Sequence, residues 1–181
     1  MLNNKYYLIV SRLVSYKKID LAIETFNQLS YPLVVVGTGR EAYSLKHKAK
    51  SNIKFVGQVS EKKLTKYYQN AKALIMPQEE DFGIVPVEAQ SHGIPVIAYK
   101  KGGALDTIID NKTGIFFDKQ TIESLSLAIE CFNQTSFNVK IIKANAKRFT
   151  KEVFKRQLQR SLVRINSSWR RGNSSLASIK S

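Results

Sequence analysis

The residues best suited to chemistry lie in the middle of the chain, in the run from Glu80 to Glu88 that reads Glu-Asp-Phe-Gly-Ile-Val-Pro-Val-Glu. Pro86 has no amide hydrogen and is tolerated only in the first turn of a helix, so the run predicts a helix that begins near Gly83 or Ile84. The amides of that first turn lack acceptors within the helix and point outward. The helix start is therefore suited to a diphosphate or a sugar hydroxyl.

Glu80 and Glu88 flank the predicted helix start, one before it and one about a turn inside it. Carboxylates accept hydrogen bonds from vicinal hydroxyls, such as those of a ribose or a hexose. Acids just before a helix also stabilise its dipole without any ligand, so this second interpretation of Glu79, Glu80 and Asp81 stays open.

Two cations follow the first predicted strand, Arg12 at the strand end and Lys17 at the opening of the next helix. A cation at a helix N-terminus is unfavourable for the helix itself, so the pair suggests a compensating anion. A diphosphate would provide that anion. The alternative is a pair of exposed charges with no ligand.

Glycines follow two further strands. Gly102 and Gly103 precede a helix, where they permit either a close approach to a ligand or a tight turn. The segment from Gly37 to Ala42 fits a dinucleotide-binding fingerprint, but it follows the second strand, and no acid stands about 20 residues further on. We therefore predict a turn there.

Apolar runs alternate with helical periodicities along the chain. Strands are predicted at Tyr6–Val10, Leu33–Val36, Ile53–Val56, Ala73–Met76, Pro95–Ala98 and Gly114–Phe117. Helices are predicted at Lys17–Leu29, Glu41–Lys50, Ser60–Tyr68, Ile84–Ser91, Ala104–Ile109 and Ile122–Phe132. This order predicts an α/β fold with a doubly wound, mostly parallel six-stranded sheet flanked by helices and followed by C-terminal helices. In such sheets ligands bind outside the carboxyl ends of the strands, where the loops described above lie.

Composition excludes several classes of protein. Cys131 is the single cysteine, and His47 and His92 are the two histidines, so neither a disulfide framework nor a zinc site is expected. The apolar runs are shorter than the roughly 20 residues that span a bilayer, and the N-terminus lacks a signal-peptide pattern. The sequence predicts a cytoplasmic protein.

Positive charge is concentrated at the C-terminal end of the chain. The formal net charge is +15, and from Lys140 onward twelve basic residues face a single acid, Glu152. We predict a domain over residues 1–165, with helices at 139–150 and 151–165, and a flexible polar tail over 166–181. The basic helix could contact anionic lipid at the inner face of the membrane or an acidic partner, or it could be a solvated face. Nucleic-acid binding is not expected, because no recognition module accompanies the charge.

The combined pattern resembles the retaining family 4 glycosyltransferases, which have the GT-B fold. The likeness rests on Glu80 and Glu88 with Phe82-Gly83-Ile84 between them, on Arg12 and Lys17 after the first strand, and on the glycine segments at 37–39, 57 and 102–103. It extends from residue 5 to about residue 165 and corresponds to the C-terminal, donor-binding half of such an enzyme.

The resemblance implies a role for each matching residue. Arg12 and Lys17 would bind the donor diphosphate, and Glu80 would hydrogen-bond the transferred sugar, so these three are the catalytic candidates. The donor-binding set implied by the family contains Arg12, Lys17, Gly57, Val59, Glu80, Phe82, Gly83, Ile84 and Glu88, in which Glu88 takes the ribose hydroxyls and the backbone of 57–59 lies beside the base. No metal or other cofactor is implied, because cations and helix dipoles stabilise the leaving diphosphate.

The longer run from Glu79 to Gln90, with Gly-Gly-Ala-Leu-Asp after it, is similar to mannosyltransferases of O-antigen or exopolysaccharide assembly. It implies GDP-mannose as the donor and lipopolysaccharide or another surface polysaccharide as the pathway. An acceptor-binding N-terminal domain, on the same chain or on a separate subunit, is the expected partner. This chain is expected to be inactive alone, and the alternative is an inactive nucleotide-sugar-binding module or a gene fragment.

Overall fold

The computed structural model of the chain describes residues 6–81 and 83–150. It contains six strands, β1 (Tyr6–Val10), β2 (Leu33–Val36), β3 (Ile53–Gly57), β4 (Ala71–Met76), β5 (Val96–Tyr99) and β6 (Gly114–Phe117). Its α-helices are α1 (Ile19–Leu29), α2 (Ala42–Lys48), α3 (Glu61–Asn70), α4 (Ile84–Ser91), α5 (Ala104–Thr107), α6 (Ile122–Gln134) and α7 (Val139–Ala146), and short 3-10 turns lie at Ser15–Lys17 and Lys147–Phe149.

The strands form one sheet in the order β3-β2-β1-β4-β5-β6, and every neighbouring pair is parallel. The chain therefore winds outward from β1 in one direction and from β4 in the other. The point where the winding reverses lies between β1 and β4, and the carboxyl ends of these two strands open a crevice there. The predicted fold class is confirmed.

Two apolar layers bury the faces of the sheet, because alternate residues of each strand point to opposite sides. In β1, Tyr7 and Ile9 pack on the side covered by α1 and α6, while Leu8 packs on the opposite side with Tyr68 of α3 and Ala89 of α4. Strands buried on both faces explain the continuous apolar runs in the sequence.

The helix that we predicted from Lys17 begins two residues later. Lys17 ends a 3-10 turn, and Lys18 has a left-handed backbone with φ 52°, so α1 starts at Ile19. Helical periodicity alone cannot show this break, because Lys17 and Lys18 are not part of the apolar face. The predicted helix at 104–109 also ends early, at Thr107.

Gly93 follows the C-cap residue of α4 and ends the helix. Gly93 N donates to Gln90 O at 2.8 Å, and Ile94 N donates to Ala89 O at 3.0 Å. This pair of bonds defines a Schellman motif, which ends the helix and directs the chain into β5.

The chain divides by its internal contacts into two units, Met1–Ala146 and Lys147–Ser181. The predicted helix at 151–165 and the predicted tail at 166–181 lie outside the described residues, and the boundary at 165 stays a prediction. In the part of the chain that the structure describes, no helix is both long enough and apolar enough to cross a membrane.

Candidate functional site

A cleft of about 420 Å³ opens between the loop that follows β1 and the loop that follows β4. The side chains of Arg12 and Lys17 line it from the first loop, and Gln78 and Glu80 line it from the second. Gly83, Ile84 and Val85, at the start of α4, complete the wall. The structure therefore brings together the two cations, the first glutamate and the helix start at the reversal point of the sheet.

Lys17 and Glu80 meet directly across the cleft, where the Lys17 ammonium contacts Glu80 Oε1. The two side chains are 13% and 26% exposed, so the pair is largely shielded from water. Burial lowers the pKa of the Lys17 ammonium below its usual value, and the nearby Arg12 cation lowers it further. The pair places a cation next to a carboxylate. A bound anion could contact the Lys17 ammonium, and a sugar hydroxyl could donate a hydrogen bond to Glu80.

Arg12 lies where two hollows meet, since it lines both the cleft and an adjacent slot. Its Nη2 donates a hydrogen bond of 2.7 Å to the hydroxyl of Tyr16, which orients the guanidinium. Tyr16 also places its ring 5.1 Å from the Lys17 ammonium. One aromatic side chain thus contacts both cations.

The start of α4 has the geometry that Pro86 predicts. Gly83 is the N-cap with φ 74°, a left-handed conformation that suits glycine, and Ile84 is the first helical residue. The first-turn amides at Ile84 and Val85 have no acceptor within the helix. They line the cleft together with Glu80, so the positive end of the helix dipole faces the pocket.

Gly102 and Gly103, in the segment after β5, contact the backbone of Glu80. Gly103 N donates to Glu80 O at 2.6 Å, and a Cβ at position 102 would lie 2.4 Å from the same oxygen. These glycines therefore approach the backbone of the loop after β4, and the close approach to a ligand stays a prediction. Lys101 adds an ion pair with Glu79 at 3.3 Å.

The segment after β2 supports the loop that carries Arg12. Leu13 N donates to Thr38 O at 2.9 Å, and Glu41 N donates to Leu13 O at 3.1 Å. The turn predicted at 37–42 is thus a backbone brace for the loop after β1.

An adjacent slot of about 490 Å³ lies on the β2 side of Arg12. Its apolar wall includes Val10, Val36, Val59, Leu64 and Val85, and its polar groups include Thr38 and Gln58. Val59, a predicted donor-binding residue, contributes to this slot, whereas Gly57 ends β3 just before it. An apolar slot beside the Arg12 guanidinium suits an aromatic base attached to a phosphate.

Glu88 lies outside the residues that line the cleft, one turn inside α4. Its Oε2 accepts a hydrogen bond of 3.1 Å from the hydroxyl of Tyr68. Burial raises the pKa of Tyr68, and the charge of Glu88 and this bond raise it further. His92 stacks on the Tyr68 ring at 5.1 Å. The ribose role of Glu88 stays a prediction, and Phe82 lies outside the described residues.

Sequence reasoning missed Gln78. Its side chain is only 7% exposed, lines the cleft, and donates from Nε2 to Glu80 Oε1 at 3.0 Å. The available signal was its position, two residues before Glu80 in the same loop at a strand end.

The fold places the protein in a structural class, the doubly wound α/β domain of GT-B glycosyltransferases. The chain has a TM-score of 0.79 with the apo form of a lipopolysaccharide outer core galactosyltransferase, WaaB, at 18% identity over 87% of this chain and 48% of that one. Its TM-score is 0.75 with the Anabaena protein HepE in complex with UDP and glucose, at 23% identity over 89% of this chain and 48% of that one.

The chain belongs to the family described as glycosyl transferases group 1, which it matches over residues 2–149. A similar relative is a GDP-mannose-dependent phosphatidylinositol monomannoside mannosyltransferase of Mycolicibacterium smegmatis, 28% identical over 66% of this chain and 36% of the relative. An alpha-1,3/1,6-mannosyltransferase of Kluyveromyces lactis is 30% identical over 64% of this chain and 31% of its own length. The chain thus spans about a third of the length of these relatives.

Proposed function

We propose that this chain binds the nucleotide-sugar donor of a retaining glycosyl transfer, with GDP-mannose as the donor. The observation that carries the proposal is the meeting of Lys17 and Glu80 beside the start of α4. A diphosphate requires cations and free amides, and a sugar requires a hydrogen-bond acceptor. The cleft offers all three within one wall.

In this proposal each group of the cleft has a distinct task. Arg12, Lys17 and the amides at the start of α4 hold the diphosphate and stabilise the charge that develops as it leaves. Glu80 accepts a hydrogen bond from the sugar, and the slot lined by Val59 receives the base. These groups neutralise the leaving diphosphate without a metal ion, and the acceptor attacks the same face of the sugar that the diphosphate leaves.

GDP and mannose are proposed from the relatives that use or transfer them. The Mycolicibacterium relative is named as GDP-mannose-dependent and the Kluyveromyces relative as a mannosyltransferase. We further propose that an acceptor-binding domain completes the enzyme, that transfer serves bacterial surface polysaccharide synthesis at the cytoplasmic side of the membrane, and that the basic C-terminal residues contact that membrane.

Thermal unfolding with added nucleotides tests the proposal. GDP and GDP-mannose should raise the melting temperature of the chain, and EDTA should not reduce the shift. The double variant Arg12→Ala plus Lys17→Ala should weaken GDP binding on the order of 100-fold, because two charge-assisted hydrogen bonds are lost. The charge-matched control Lys46→Ala plus Lys119→Ala, which alters exposed lysines elsewhere, should keep the full shift.

Measuring UDP and UDP-glucose in parallel tests the identity of the donor separately from the presence of a nucleotide-sugar site. A larger shift with the uridine pair would reject GDP-mannose and retain a nucleotide-sugar site. A folded chain that responds to none of the four compounds would reject the proposed function itself. Transfer of radiolabelled mannose, with and without an added acceptor domain, then separates an enzyme from a binding module.

A further inference from the structure

The Gln78 side-chain amide forms a hydrogen bond through its nitrogen and, among the described residues, none through its oxygen. Gln78 follows β4 by two residues and is 7% exposed, and its Nε2 donates to Glu80 Oε1 at 3.0 Å. Its Oε1 is buried and has no hydrogen-bond partner among residues 6–81 and 83–150. Within a largely apolar strand end, such a group needs an explanation.

The orientation of the Gln78 amide is set by its neighbour. Rotating the amide by half a turn would bring its Oε1 against the Glu80 carboxylate, and two acceptors would then face each other. The Nε2 group therefore faces Glu80, and the Oε1 acceptor faces away from it. A buried acceptor without a donor is destabilising, and the described residues supply no donor to this oxygen, so a ligand hydroxyl could supply one.

The recorded hydrogen bonds to the Glu80 carboxylate likewise reach only one of its two oxygens in the described residues. Both Lys17 and Gln78 contact Oε1 of Glu80, so their hydrogen bonds converge on a single oxygen. In the described part of the chain, Oε2 of Glu80 is left as the oxygen available to a ligand hydroxyl. Glu80 and Gln78 both line the cleft, so one wall contains a carboxylate and an amide whose acceptor oxygen is unpaired within the described residues.

We propose that Gln78 is a sugar-recognition residue, whose Oε1 accepts a hydrogen bond from a hydroxyl of the transferred sugar while its Nε2 orients Glu80. This inference rests on the proposed function and names a specificity residue of the same cleft. An acceptor oxygen pairs with a hydroxyl but not with a phosphate, which offers no proton at neutral pH. Gln78 therefore distinguishes the sugar part of the donor from the nucleotide part.

Isothermal titration of the full chain with GDP and with GDP-mannose tests this role. The measured quantity is the ratio of the two dissociation constants, Kd for GDP divided by Kd for GDP-mannose. Gln78→Leu, which keeps the volume and removes both polar groups, should lower this ratio about tenfold and leave the Kd for GDP within about twofold. Gln78→Met, which keeps the side-chain length, should act in the same way.

Gln120→Leu is the matched control, because Gln120, which follows β6, donates from Nε2 to the neighbouring Pro77 O at 2.8 Å and has no recorded hydrogen bond with Glu80 in the described part of the chain. It should leave the ratio unchanged. The melting temperature of the free Gln78 variants should stay within a few degrees of that of the parent protein, since an unpaired buried acceptor is removed.

The outcomes separate the two proposals. If the parent protein binds GDP-mannose but the ratio is near 1 or survives both Gln78 substitutions, the role of Gln78 is rejected and the donor site stands. An equal loss for GDP and GDP-mannose also rejects it, because a structural defect would weaken both. If the parent protein binds neither GDP, GDP-mannose, UDP nor UDP-glucose, the proposed function itself fails.

Discussion

Two polar clusters are connected to Gly103, one formed by Gln90, Asn145 and Thr107 and the other by Gln78 and Glu80. They differ in how many of their polar groups have hydrogen-bond partners. In the first, Gln90 Nε2 donates to Thr107 O at 2.8 Å, and Asn145 Nδ2 donates to Gln90 Oε1 at 2.6 Å. In the second, Gln78 donates to Glu80, but its own acceptor oxygen is unpaired within the described chain. A paired cluster holds helices together, whereas an unpaired one is suited to a ligand.

Gly103 connects the two clusters through its backbone. The Thr107 hydroxyl donates to Gly103 O at 2.9 Å, and Gly103 N donates to Glu80 O at 2.6 Å. The paired cluster, which also joins α4 to α7, thus supports the loop that carries the candidate site. The paired cluster therefore helps to position the candidate site, in which Gln78 Oε1 is unpaired within the described residues.

The largest effect is expected where the connection is tightest, at Gly102→Ala. Alanine there would adopt φ 60° and place a Cβ 2.4 Å from Glu80 O, so the substitution should cost about 2–4 kcal/mol in urea unfolding. Gly57→Ala is the control, because position 57 has φ 69° but an added Cβ meets nothing within 4 Å. It should cost about 1–2 kcal/mol from the backbone conformation alone. Equal losses would show that the contact with Glu80 contributes nothing.

Asn145→Leu should destabilise the paired cluster without affecting recognition. The change removes donors to Gln90 Oε1 and Thr107 O and should cost about 1–3 kcal/mol, because Gln90 Oε1 loses this donor, although Thr107 O keeps the bond from Gln90 Nε2. Chemical denaturation gives the loss, and titration should give unchanged discrimination between GDP and GDP-mannose. Asn70→Leu, at an exposed amide on α3, should change stability by less than about 0.5 kcal/mol. A selective loss of GDP-mannose affinity in Asn145→Leu would contradict the division between the clusters.

Thr107→Val should produce a smaller loss of about 1 kcal/mol, since the shape is kept and one hydrogen bond to Gly103 O is removed. Thermal unfolding measures it. The exposed Thr135 hydroxyl, which donates to Cys131 O at 2.8 Å, provides the control Thr135→Val with little change expected. A neutral Thr107→Val would mean that the two clusters are not coupled through this bond.

The last effect concerns pH, and it acts on nucleotide affinity rather than on stability. Burial and Arg12 lower the pKa of Lys17, so as pH rises this ammonium loses its proton earlier than an ordinary lysine. Only the protonated form attracts phosphate, so GDP affinity should fall by up to about tenfold as pH rises from neutral toward ~10. Titration calorimetry at several pH values measures this, with circular dichroism to verify folding. Lys17→Arg should remove the dependence, and a persistent dependence would assign it to another group.

The sequence predicted the sheet well, because runs such as Leu33–Val36 are apolar on both faces and leave few alternatives. It also predicted the start of α4, since Pro86 restricts where a helix can begin. It misplaced the start of α1, because the left-handed backbone of Lys18 leaves no trace in the apolar periodicity. The contact of Gly102 with Glu80 arises only when β4 and β5 lie side by side. The amide oxygen of Gln78, which is unpaired within the described residues, likewise depends on the folded loop, and local patterns contain neither feature.

The pairing of Lys17 with Glu80 joins residues 63 positions apart in the chain. Closing so long a loop is slow and entropically costly, so this contact can form only after the central strands β1 and β4 have aligned. Nucleotide binding in the cleft would therefore require a fully folded sheet. A bound nucleotide would shift the folding equilibrium toward the native state. Fragments that stop before Ala71 would contain Arg12 and Lys17 and still capture nothing.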